Sequence, residues 1–92
     1  MHQFVEDSGH GWLRVPRVEL DALNVAHRIT TCSYVDGDSV WLEEDCDLST
    51  YLHARVERDD TDVARFFADH VKVTHVAGDA WIRNLPRYEV QS

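Results

Sequence analysis

Apolar and polar residues alternate along Tyr34-Val35-Asp36-Gly37-Asp38-Ser39-Val40-Trp41-Leu42. A period of two is the signature of a half-buried strand, and the Asp-Gly in the middle marks a β-hairpin. Asp36-Gly37 suits a type I′ turn, which needs φ > 0 at both central positions; Gly37-Asp38, in a slightly longer loop, is the other register. Either way Val35, Val40 and Leu42 share one side of the sheet and Tyr34 and Trp41 the other. The hairpin strands are predicted over residues 29–35 and 40–44. Residues 10–15 alternate as an earlier strand, with Leu13 and Val15 on one face and Trp12 and Arg14 on the other. Residues 70–76 alternate as a later one. Ala77-Gly78-Asp79 reads as a turn, with residues 80–83 returning as a short edge strand.

Three stretches change to helical spacing. Pro16 at the first helical position opens a helix to about residue 23, with Val18, Ala22 and either Leu20 or Leu23 as its apolar stripe. Asn24 suits the left-handed position after it, and Val25 packs back on the last turn. Asp47 is an N-cap for a second helix, in which Leu48, Leu52 and Val56 face inward. Thr61 caps a third piece, with Asp62 in its first turn and Val63, Phe66 and Phe67 on its apolar side. The order β-α-β-β-α-α-β predicts an α+β fold: a small antiparallel or mixed sheet of about four strands, with helices packed on one face. Residues 1–92 form a single domain. Residues 1–9, with little periodicity, are expected to be a flexible arm.

Composition adds a sign to this picture. Seventeen acids against nine bases give a net charge of −8. Direct binding to nucleic acid or to anionic membrane is disfavoured, because both need Lys and Arg clusters. Basic protein partners are favoured instead. Asp36, Asp38, Glu43, Glu44, Asp45 and Asp47 place six carboxylates within twelve positions that hold no Lys or Arg. No apolar run is long enough to span a bilayer and Met1-His2-Gln3-Phe4 does not open a signal peptide, so a cytoplasmic location is expected. Both cysteines are then reduced, Cys32 as a small buried strand residue and Cys46 at a helix start whose dipole lowers its thiol pKa.

Motifs for chemistry are sparse. The six histidines, His2, His10, His27, His53, His70 and His75, form no HExxH or HxH, and there is no CxxC. No metal or other cofactor is expected from spacing, which leaves open only a Cys/His site assembled by the fold. Asp36 and Asp38 are hard ligands, but the twelve-residue spacing of an EF-hand is missing. Glu43 and Glu44 point to opposite faces of a strand, and no serine or cysteine sits in a nucleophile motif, so the chain is not expected to be an enzyme. Trp12, Tyr34, Trp41 and Trp81 can share the sheet face away from the helices, covered by the chain itself, by a second copy or by a partner.

Gly11-Trp12-Leu13-Arg14-Val15-Pro16-Arg17, Ser33-Tyr34 before a Gly-containing turn, Trp41-Leu42-Glu43-Glu44-Asp45-Cys46-Asp47 and Ile82-Arg83-Asn84-Leu85-Pro86-Arg87-Tyr88 together resemble short acidic proteins carried by bacterial phages and plasmids. That resemblance brings no catalytic residues, and residues 57–69 look longer than in that group. It implies an inhibitor of host defence in the bacterial cytoplasm, of the anti-CRISPR type, acting as a monomer or homodimer on a basic subunit of a CRISPR effector complex. In such an inhibitor Asp36, Asp38, Glu43, Glu44, Asp45 and Asp47 would stand in for phosphates, with Tyr34 or Trp41 as exposed anchors. The alternatives are a small metal- or thiol-dependent module using Cys46 and nearby histidines, and a self-associating accessory domain.

Overall fold

The structure, a computed structural model, describes residues 1–89. Its sheet runs β3-β4-β2-β1-β5, from β1 (His2–Glu6), β2 (Gly11–Pro16), β3 (Tyr34–Asp36), β4 (Ser39–Glu43) and β5 (Val71–His75). The β1–β5 pair is parallel and the other neighbours are antiparallel. Helices α1 (Arg17–Ala22), α2 (Leu48–Asp59) and α3 (Val63–His70) pack on one face. The fold is therefore the expected α+β domain, with five strands rather than about four. No helix among the described residues is long and apolar enough to cross a membrane.

The hairpin forms at the second of its two registers. Asp36 pairs with Ser39, leaving Gly37-Asp38 as a two-residue loop. Gly37 has φ 60° and Asp38 is not at positive φ, the pattern of a type II′ turn with glycine first. Val35, Val40 and Leu42 join the helix-side core with Leu13 and Val15, while Tyr34 and Trp41 join Trp12 on the opposite face. The end of α1 also follows its sequence. Asn24 adopts φ 57°, Val25 N–H donates to Leu20 O and Asn24 N–H to Asp21 O, and Val25 is buried. This is the Schellman closure, with its apolar contact in place.

Several expectations are corrected. The predicted arm is a strand, β1, lying between β2 and β5. Phe4 and Val5 are adjacent and both buried, one in each core layer; a strand covered on both faces shows no period-two signal. The first hairpin strand shortens to Tyr34–Asp36. On α1, Leu20 is buried and Leu23, just after the helix, packs at the core's edge, but Val18 is 74% exposed and Ala22 is exposed; Pro16 ends β2 and caps the helix from outside. Tyr51 joins Leu48 and Leu52 as a buried residue of α2, while Val56 only packs at the edge. Asp62, not Thr61, caps α3, its carboxylate accepting from Arg65 N–H at 2.8 Å. The proposed edge strand at residues 80–83 is a 3-10 helix, Trp81–Asn84.

That last change decides what covers the outer face of the sheet. Ala80, Ile82 and Leu85, with Val76, pack onto Val5, Trp12, Tyr34 and Trp41. The chain covers this face itself. Asp7 holds the cover in place. From the β1–β2 turn it accepts Gly9 N–H, His10 N–H and Ala80 N–H, and a forked pair of bonds from Arg83 at 2.7 and 2.9 Å. The Arg83 bonds, then the backbone donors, hold the Asp7 carboxyl far below the usual carboxylate range.

Candidate functional site

The chemistry-bearing residues meet at one end of the sheet, where β2 begins and β4 ends. Trp12 and Glu43 face each other across that pair. A cleft of about 420 Å³ opens there, lined by His10, Trp12, Cys32, Tyr34, Glu43, Asp45, Cys46, Arg83 and Arg87. Its floor is aromatic. The Arg83 guanidinium lies 5.2 Å from the Trp12 ring centroid and that of Arg87 lies 4.8 Å from the Tyr34 ring, in cation–π range. Trp12 Nε1 is buried and has no hydrogen-bond partner among the described residues.

On one wall, His10 Nδ1 lies 3.0 Å from Glu43 Oε1 and 3.8 Å from Asp45 Oδ2. One donor atom from each of these residues falls within 4.8 Å of the other two. Glu43 is nearly buried, and its second oxygen accepts Asp45 N–H at 2.8 Å. That bond folds the chain back directly after β4, so the carboxylates of Glu43 and Asp45 converge on His10, thirty-three residues before Glu43. Negative charge accumulates at this turn. The Glu44 carboxyl is raised above its ordinary pKa by partial burial, then by Asp45, Glu43 and Glu6.

On the other wall, Cys32 and Cys46 are both free and half-buried, with their sulfurs 2.7 Å apart. The hairpin explains the meeting: Cys32 lies just before β3 and Cys46 just after β4, and antiparallel pairing returns the second to the first. Cys32 is in a turn rather than buried in a strand. The Cys46 thiol is pushed up, not down, chiefly by its hydrogen bond to Cys32, although the Thr30 hydroxyl opposes this. Cys46 lies in the turn before α2, two residues ahead of its first helical residue.

The six carboxylates do not form one surface. Asp36 and Asp38 sit at the hairpin tip, and Glu44 and Asp45 at the other end of β4, roughly 14 Å away for a five-residue strand. Asp36 accepts from Trp41 Nε1 at 3.2 Å. Asp47 is 1% exposed. It occupies the N-cap position of α2 but makes no side-chain cap bond. Its oxygens instead accept Thr30 N–H, the Thr30 hydroxyl and the Ser33 hydroxyl, at 3.1, 3.0 and 2.6 Å. Tyr34 and Trp41 are 7% and 2% exposed, so neither is a free anchor. Of the remaining histidines, His2 is half-buried under Arg14 O, with its pKa lowered by burial, and His27, His53, His70 and His75 are exposed away from the cleft.

Sequence reasoning included Glu43, Asp45 and Cys46 but not their partners His10 and Cys32, nor Arg83 and Arg87. Pairing of β2 with β4 and of β3 with β4 brings in His10 and Cys32, the fork to Asp7 brings in Arg83 and the bridge to Tyr34 brings in Arg87, and no short-range spacing encodes any of these. No protein-family model, curated protein or solved structure matches the chain.

Proposed function

We propose that the protein is a small metal-binding module that holds a divalent first-row transition ion through His10, Glu43 and Asp45. The observation that carries this reading is the convergence of one nitrogen and two carboxylate donors within 4.8 Å. Donors about 2.1 Å from a shared tetrahedral ion lie roughly 3.4 Å apart, so small side-chain adjustments suffice. One imidazole with two carboxylates suits zinc, manganese or iron rather than a soft ion. Three protein donors leave a coordination position facing the cleft, where water or a small ligand completes the shell. The surrounding acidity favours a cation. The inhibitor reading retains the exposed acids Asp38, Glu44 and Asp45, without the anchors or the continuous acidic face it called for.

Zinc titration by calorimetry of the chain carrying Cys32→Ser and Cys46→Ser, so that thiols contribute nothing, tests the proposal. One ion per chain should bind, and His10→Ala should weaken binding by about 100-fold or more, beyond the effect of losing an outer-shell partner. Affinity unchanged from the parent in His10→Ala or in Asp45→Asn, or no saturable binding at all, would refute it.

A further inference from the structure

We infer that Cys32 and Cys46 form an intramolecular disulfide site, closed by exchange with a small-molecule disulfide such as glutathione disulfide. This goes beyond the metal reading and uses different atoms. Two sulfurs 2.7 Å apart are inside ordinary non-bonded contact, and less than about 1 Å of closure reaches bonding distance. Both residues lie in turns rather than in helix or strand, so that closure strains no ladder. Both are half-buried and line an open cleft, which admits an oxidant. The joint they span is already fixed: Thr30 Oγ1 contacts Cys46 Sγ at 3.3 Å and accepts Cys32 N–H at 3.1 Å, and Asp47 receives Thr30 and Ser33 from the same loop. The reduced fold therefore holds the two sulfurs side by side.

The reaction balances in two exchanges. One cysteine, as thiolate, attacks a sulfur of the oxidant, releasing one glutathione thiol and leaving a mixed disulfide. The other cysteine then attacks the protein-borne sulfur and expels the second glutathione thiol. The chain loses two protons and two electrons, and the oxidant gains both. The second step is intramolecular between adjacent sulfurs, so it should outrun the accumulation of adduct.

Intact-mass analysis and unreduced peptide mapping test this on the full chain incubated with glutathione disulfide. The native chain should lose two hydrogens, link Cys32 to Cys46 and keep no glutathione. Cys32→Ser and Cys46→Ser should each stop at one bound glutathione. The second exchange, from mixed disulfide to closed bond, should be about tenfold or more faster in the native chain than in the urea-unfolded chain. A lasting glutathione adduct on the native chain, disulfides only between copies, no reaction, or equal rates in urea would overturn the inference. Closure should run at the same rate with excess EDTA present, which separates this result from the fate of the metal site.

Discussion

Replacing Asp47 with Ala removes the acceptor that joins the loop before β3 to the start of α2. Three donors lose their partner: Thr30 N–H, the Thr30 hydroxyl and the Ser33 hydroxyl. Thr30 is exposed and its two donors can return to water, so each counts for about 0.5 kcal/mol. Ser33 is fully buried and its 2.6 Å bond is to a charged acceptor, a class worth about 1.5–3 kcal/mol. Ser33 Oγ also accepts Glu43 N–H at 3.2 Å, so its displacement loosens the end of β4. The expected loss is about 3 kcal/mol, against about 1 kcal/mol for a simple helix cap. In a domain of this size that lowers the melting temperature by roughly 15 °C. Urea unfolding under reducing conditions, followed by tryptophan fluorescence and circular dichroism, measures it. Asp47→Asn, which keeps one acceptor oxygen, should fall between wild type and Ala. In a double-mutant cycle with Ser33→Ala the coupling should reach at least about 1 kcal/mol. A loss of about 1 kcal/mol or less in Asp47→Ala, additive with Ser33→Ala, would show that Asp47 acts only as a cap.

Asp7→Asn should lower the melting temperature at neutral pH by loosening the 3-10 cover from the sheet. The folded-state pKa of Asp7 is depressed, so its contribution is present above the unfolded carboxyl value and is lost as pH falls through the folded one; the gap between wild type and variant should narrow steadily below about pH 4. Melting curves from neutral pH down to about pH 2 check this, and a gap independent of pH would contradict it. Trp41→Ala should cost about 3–5 kcal/mol, since it empties a buried site that packs edge-on against Trp81 at 5.8 Å. A loss under about 1.5 kcal/mol in urea unfolding would mean that Trp41 is not a core residue.

The sequence by itself determined the local elements whose causes lie within a few residues. Glycine at a left-handed position made the hairpin turn, alternation sorted Val40 and Leu42 from Trp41, and Asn24 with Val25 closed α1. These are short-range sterics and one-sided burial, and they leave a periodic trace. Tertiary structure decided whatever depended on burial from both sides or on partners far along the chain. Phe4 and Val5 carry no alternation because both faces of β1 are covered, so the strand was invisible until β5 and the 3-10 cover were in place. Asp47 reads as a cap from its position, and only the approach of Ser33 turned its side chain inward. The cleft is the extreme case. His10 meets Glu43, and Cys32 meets Cys46, across separations of 33 and 14 residues. Those meetings are set by strand register, which fixes distant residues through the backbone ladder and writes nothing into the spacing of the residues it joins.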